Sequence, residues 1–138
     1  MAGVRLVVAL ILVVDDEPGI RSHACQVLED VGYTTVAAAS AIEAREVLSL
    51  TRPDLMILDL RLPDGSGLDL SLQIQPSYPR VPVLFISGYP DDFPRGDIIH
   101  WPLRYAFLAK PYTVPKLLRS VRELLNASQP GSQATSNG

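Results

Sequence analysis

The sequence predicts an α/β fold, a five-stranded parallel sheet with helices on both faces, three layers in all. Three observations predict it. Strand-like and helix-like stretches alternate along the chain, which calls for strand–helix–strand units with right-handed crossovers. The first strand-like stretch lies within "VRLVVALILVV" (4–14) and is apolar without alternation, as expected where both sheet faces are covered. The chain has 138 residues and is 47% hydrophobic, enough for one core and little more.

The first strand ends near Val14. A helix is predicted from Pro18 to Val31, with Ile20, Ala24, Val27, Leu28 and Val31 on one face, Asp16 placed to cap its start and Gly32 to stop it. "YTTVA" (33–37) is the second strand. Ser40 and Glu43 form a capping-box pair ahead of Ala44, Val47 and Leu48, opening the second helix. "LMILD" (55–59) is the third strand. "LDLSLQIQ" (68–75) alternates apolar and polar residues, which alone reads as a strand; it is assigned to a helix because a crossover is needed there, with Leu70 and Ile74 sharing a face. "VPVLFIS" (81–87) is the fourth strand and "YAFLA" (105–109) the fifth. Between them "PDDFPRGDIIHWP" (90–102) carries three prolines and a glycine, so any helix there is short or broken. The last helix spans Thr113 to Leu125, with an apolar stripe of Val114, Leu117, Leu118, Val121, Leu124 and Leu125.

The balance of 12 Lys+Arg against 15 Asp+Glu gives a net charge of −3 with no basic block, so nucleic-acid binding has no electrostatic support. The N-terminal apolar run is shorter than the roughly 20 residues a bilayer span needs, and it runs into Asp15-Asp16-Glu17 without a cleavage pattern. No membrane role is expected. The single cysteine, Cys25, forms no internal disulfide and reads as a packing residue; this fits a cytoplasmic location. The expected organisation is an N-terminal extension (1–9), one domain (10–126) and a polar, Gly/Pro/Ser-rich disordered tail (127–138).

In open parallel sheets, ligands sit beyond the C-terminal strand ends, where strand order reverses. Asp15, Asp16 and Glu17 follow the first strand, Asp59 closes the third, Ser87 the fourth, and Lys110-Pro111 follow the fifth. With strand order 2-1-3-4-5, strands one and three are neighbours about 4.8 Å apart, and Asp15, Asp16 and Asp59 converge. Two carboxylates about 5 Å apart repel by roughly 3 kcal/mol at an effective dielectric of 20, so three need a cation or a shared proton. Oxygen ligands at an open edge suit Mg²⁺, which keeps several waters. An ammonium and a hydroxyl across the same pocket supply the positive charge and donors that a transferring phosphoryl group requires. A carboxylate fixed at the end of a buried strand, Asp59, is a competent nucleophile toward phosphorus.

"VVDDEP" (13–18), "ILDLRLPDGSG" (57–67), "FISGY" (85–89) and "FLAKPY" (107–112) together resemble the receiver domain of two-component response regulators, over roughly residues 10–126. The resemblance implies a flavodoxin-like sheet of order 2-1-3-4-5 and a phosphorelay function. Asp59 would accept a phosphoryl group from a histidine kinase or phosphotransfer domain. Asp16, Asp59 and the backbone carbonyl of Arg61 would ligate Mg²⁺, with Asp15 acting through a metal-bound water. Lys110 would pair with the phosphoryl group. Ser87 would hydrogen-bond it and couple to the aromatic switch Phe107, and the Lys110-Pro111 bond would be cis. Arg61 and Tyr89, two residues past Asp59 and Ser87, occupy positions that tune dephosphorylation in the family. Ser87 stands where Thr is commoner, Phe107 where Tyr is commoner, and the proline-rich 90–102 segment replaces a regular crossover helix on the usual output face; the output partner is unspecified.

Other readings weigh less. An aspartyl-nucleophile phosphatase wants a second acid two residues after the nucleophile, where Arg61 stands. Dinucleotide binding wants a Gly-rich first turn, where "DDEPG" would repel a pyrophosphate. A phosphorylation-independent, protein-binding pseudo-receiver does not need the complete acidic set. His23 reads as an exposed helix residue, His100 and Trp101 have no assigned role, and Asp64-Gly65 read as a turn.

Overall fold

The computed structural model describes residues 8–94 and 104–127. In chain order it contains β1 (Leu10–Val14), α1 (Pro18–Asp30), β2 (Thr34–Ala38), α2 (Ala41–Leu48), β3 (Leu55–Asp59), β4 (Arg61–Leu62), β5 (Gly65–Ser66), α3 (Gly67–Ile74), β6 (Val83–Ser87), a 3-10 turn over Pro90–Asp92, β7 (Tyr105–Ala109) and α4 (Val114–Ala127). The main sheet runs β2-β1-β3-β6-β7, with every pairing parallel. This is the predicted 2-1-3-4-5 order, β6 and β7 being the fourth and fifth strands of the sheet.

Alternation along each buried strand splits the core in two. Leu12, Val14, Met56, Leu58, Val83 and Phe85 face α2 and α3, against Ala41, Ala44, Leu48, Leu70 and Ile74. Ile11, Val13, Leu55, Ile57, Leu84 and Ile86 face α1 and α4, against Ala24, Leu28, Leu117, Val121 and Leu124. Two buried faces explain why the strands read as unbroken apolar runs.

The helix ends show what the local sequence contributes. Gly32, at φ +104°, follows α1 in a conformation that favours glycine, as expected of a stop. Asp16 does not cap α1: Glu17 is the N-cap residue, and no side chain bonds from that position. Asp15 does not cap the helix either: its Oδ1 accepts the N–H of Glu17, the N-cap residue itself, at 2.9 Å. The Ser40 hydroxyl accepts the Glu43 N–H at 3.1 Å, while the Glu43 carboxylate reaches back to the Ala39 N–H at 2.9 Å. "LDLSLQIQ" does form a helix, burying Leu70, Ser71 and Ile74 and leaving Leu72 exposed. The need to cover the sheet between β3 and β6 overrides its two-residue alternation.

Between β3 and α3, the turn expected at Asp64-Gly65 falls one residue earlier: Pro63-Asp64 is the tip of a two-stranded antiparallel hairpin, β4–β5, and Gly65, at φ +148°, pairs with Leu62 as the first residue of β5. Ala127 belongs to α4, so the helix extends one residue past the predicted domain boundary. Residues 1–7, 128–138 and 95–103, which hold most of the proline-rich segment with His100 and Trp101, lie outside the described residues. Among the described residues no helix is long and apolar enough to cross a membrane.

Candidate functional site

Strand register assembles the site. Val14 of β1 pairs with Leu58 of β3, so Asp15 and Asp59, each one residue further, stand level on adjacent strands. Ala109 of β7 pairs with Ser87 of β6, so Lys110 starts one step beyond Ser87, its N–H donating to the Ser87 carbonyl at 2.8 Å. The Lys110-Pro111 peptide bond is cis. Lys110 reaches across the sheet end, with Nζ 2.7 Å from Asp59 Oδ2, 2.9 Å from Asp15 Oδ2 and 3.4 Å from Glu17 Oε1.

Asp15 and Asp59 are buried, at 4% and 6% exposure, while Asp16 faces solvent. Asp59 Oδ1 accepts the Arg61 N–H at 2.9 Å. Burial raises the Asp59 pKa above the ordinary carboxylate value; the Lys110 ammonium and the Arg61 N–H offset this only in part, and the Asp15 charge adds to the rise. Burial by itself would discharge Lys110, but its hydrogen bonds to Asp59 and Asp15 outweigh burial, and its pKa is raised. Three carboxylates thus face the Lys110 ammonium, and negative charge is in surplus.

Asp15, Asp16 and Asp59 each place one carboxylate oxygen within 4.8 Å of the others. Hard oxygen donors, two buried and one open to water, suit a divalent cation that retains waters. The cleft beside them holds about 820 Å³. Its wall includes His23, Tyr89 and Tyr112, so His23, exposed as expected, stands at the rim of the site rather than away from it. Behind Asp59 the packing is tight: a Cβ on Gly67 would lie 2.1 Å from the Asp59 carbonyl oxygen.

Ser87 is fully buried. Its Oγ accepts the Tyr89 N–H at 3.0 Å and lies 3.2 Å from Asp92 Oδ2 and 3.3 Å from the Tyr89 carbonyl. Phe107 shares the sheet face of Phe85 and Ser87, its ring centroid 5.4 Å from Phe85 and 4.9 Å from Phe93. Arg61 and Tyr89 touch each other: the guanidinium carbon is 3.6 Å from the Tyr89 ring centroid. Arg61 also forks onto Asp92, Nε to Oδ2 at 2.7 Å and Nη2 to Oδ1 at 3.2 Å, which holds the Asp92 carboxyl below its usual pKa.

Two residues of the site, Glu17 and Asp92, and one distant helix cap, Asp64, have roles that the sequence does not assign. Glu17 was visible as the third acid after β1. Asp92 sits in a Pro/Asp stretch with no periodicity to mark it. Asp64, read as a turn former, accepts the Ala41 and Ile42 N–H groups at 2.8 and 2.9 Å and so caps α2 from 22 or more residues away. Cys25 is half-buried against the α1/α4 core, as a packing residue would be.

The sequence signature of the response regulator receiver domain matches residues 11–122. The sensor kinase CckA of Brucella abortus is 31% identical over 120 residues, covering 85% of this chain and 12% of that protein. The response regulator protein PilR of Pseudomonas aeruginosa is 46% identical over 78 residues, covering 56% of this chain and 18% of that protein. The chain therefore spans less than a fifth of the length of either. Among solved structures, the response regulator TrrA of Thermotoga maritima, in complex with Mg²⁺-BeF, is 29% identical with a TM-score of 0.74 over 84% of this chain and 98% of that one.

Proposed function

The chain belongs to the response regulator receiver domain family, and from that membership we propose that Asp59 is the phosphoacceptor of a two-component relay. An Asp59 carboxylate oxygen attacks the phosphorus of a phosphohistidine on a kinase or phosphotransfer partner. The new O–P bond forms as the P–N bond breaks, and the imidazole departs with the bonding electron pair. One observation carries this reading: the convergence of Asp59, Asp15, Asp16 and the Lys110 ammonium on one sheet end.

Each residue has a defined task. The Arg61 N–H and Lys110 hold the Asp59 carboxylate on the rigid end of β3, which limits the oxygen's wandering before attack. Lys110, kept charged by its two carboxylates, offers its ammonium to the phosphoryl oxygens. Asp15, Asp16 and Asp59 would hold Mg²⁺, with the Arg61 carbonyl as a further donor; the ion would offset the negative charge of the transferring group. In the phosphorylated state Ser87 donates to a phosphoryl oxygen, and Phe107 repacks on the same sheet face, so a local change of charge becomes a change of surface. The domain promotes its own phosphorylation and dephosphorylation and acts in the cytoplasm on a protein partner. Arg61 and Tyr89, stacked at the cleft mouth, restrict water's approach to the acyl phosphate.

The test is incubation with acetyl phosphate with and without Mg²⁺, read by intact mass. Wild type gains one phosphoryl group only with Mg²⁺, and Asp59→Asn gains none. An unmodified wild type, or a modified Asp59→Asn, overturns the reading. An aspartyl phosphatase would instead release phosphate from small phosphomonoesters over many turnovers.

A further inference from the structure

We propose that Asp92 is a resting-state catch that competes with the phosphoryl group for Ser87. The inference rests on the phosphoacceptor reading above and concerns what holds the site off before phosphorylation. The Ser87 hydroxyl has one proton. Among the described residues two acceptors lie within reach, the Tyr89 carbonyl at 3.3 Å and Asp92 Oδ2 at 3.2 Å. The carboxylate is the closer and carries charge, so it takes the proton. The Asp92 oxygen that takes it is the same one that Arg61 Nε donates to at 2.7 Å. A single carboxylate therefore ties together the chain beyond β3, the end of β6 and the turn at Pro90–Asp92.

The consequence for switching follows from counting donors. Ile86 pairs with Asp59, so Ser87 stands one step beyond the phosphoacceptor on the adjacent strand. To donate to a phosphoryl oxygen on Asp59, its hydroxyl has to leave Asp92. Arg61 is likewise held over Tyr89 and onto Asp92, away from the Asp59 carboxylate that its own N–H touches. Asp92 thus stabilises one of two states, and a group that does so shifts the equilibrium by its differential interaction. It is a positioning residue, acting through Ser87 and Arg61.

The experiment measures binding of beryllofluoride with Mg²⁺ by calorimetry to the full chain and to Asp92→Ala, Asp92→Asn, Ser87→Ala and the Asp92→Ala/Ser87→Ala double variant. Removing the catch should tighten binding by about threefold to tenfold, the scale of one ordinary net hydrogen bond. Asp92→Asn keeps an acceptor oxygen without the charge and falls between wild type and Asp92→Ala. In the Ser87→Ala background the Asp92→Ala gain largely disappears, because the hydroxyl it restrained is gone; a purely structural role for Asp92 would not depend on Ser87. Weaker or unchanged binding by Asp92→Asn and by folded Asp92→Ala, or an equal gain with and without Ser87, overturns the proposal and leaves the phosphoacceptor reading intact. A wild type that binds no beryllofluoride removes both.

Discussion

Gly67→Ala separates two opposed expectations. Gly67 is the first residue of α3, where replacing glycine by alanine ordinarily stabilises a helix by up to about 1 kcal/mol. The structure predicts the reverse. An added Cβ would meet the Asp59 carbonyl oxygen at 2.1 Å, the Asp59 carbonyl carbon at 3.0 Å and the Leu58 Cβ at 3.4 Å. Reaching even the shortest tolerable contact, 3.0 Å, requires a 0.9 Å displacement (3.0 minus 2.1). The two nearest atoms are backbone in a strand paired on both sides, so they yield little. Overpacking costs about 1–3 kcal/mol, and the rigid neighbour puts this site at the upper end. The net loss is then about 1–2 kcal/mol after the propensity gain. With a urea slope of about 1–3 kcal/mol per M, the midpoint falls by roughly 0.3–2 M. The same displacement moves the nucleophile's own residue, and a misplacement of about 1 Å costs on the order of 100-fold in rate. Urea titration and the acetyl phosphate reaction measure the two effects. A midpoint at or above wild type, with an unchanged rate, would show that the close approach at Gly67 does not constrain the site.

Lys110→Met removes the ammonium that touches Asp59 and Asp15, so the raised Asp59 pKa should climb further; a carboxyl titration by NMR that shows no rise contradicts the charge balance drawn here. Asp64 caps α2 and titrates below its usual value, with the Ala41 and Ile42 N–H groups as the main causes. Its folded pKa lies below the unfolded one, so its contribution is complete above about pH 4 and is lost as pH falls through the folded value. Wild type should therefore melt above Asp64→Asn at pH 7, and the gap should close in acid; a gap indifferent to pH refutes the capping role. The Tyr78 hydroxyl donates to the Leu48 carbonyl at 2.6 Å, and Tyr78→Phe should lose about 0.5–1.5 kcal/mol in urea titration. A loss under about 0.3 kcal/mol would mean that water replaces the bond without cost.

What the sequence made legible is what periodicity and chain order encode. Strands buried on both faces read as apolar runs, α4 reads as a stripe, and alternation of elements orders the sheet. The strand ends then follow from topology alone, so Asp15, Asp59, Ser87 and Lys110 could be placed together before any coordinate. "LDLSLQIQ" shows the limit within that method. Its local pattern favours a strand, and only the requirement that β3 and β6 be joined by a crossover assigns it to a helix. Single caps are harder still. Asp15 and Asp16 are adjacent acids before a helix, yet neither caps it: Asp15 accepts the Glu17 N–H and Asp16 faces solvent, a choice that no local pattern states.

The residues that escaped share one physical property: their roles arise between segments distant in sequence and lack any periodic trace. Asp64 caps a helix that begins 23 residues earlier, and Asp92 takes a guanidinium from 31 residues away. Gly67 matters for the absence of an atom, which no composition reveals. These contacts also decide how the shared chemistry behaves in this chain. The acids and the ammonium supply the reaction, and they come from strand ends that any doubly wound sheet brings together. Whether the Ser87 hydroxyl is available to a new phosphoryl group depends on Asp92, whose position is set by the turn after β6 rather than by the sheet. Chemistry in this molecule therefore follows from topology, whereas the poise between resting and phosphorylated states follows from loop geometry, and substitutions confined to Pro90–Asp92 should move the second without abolishing the first.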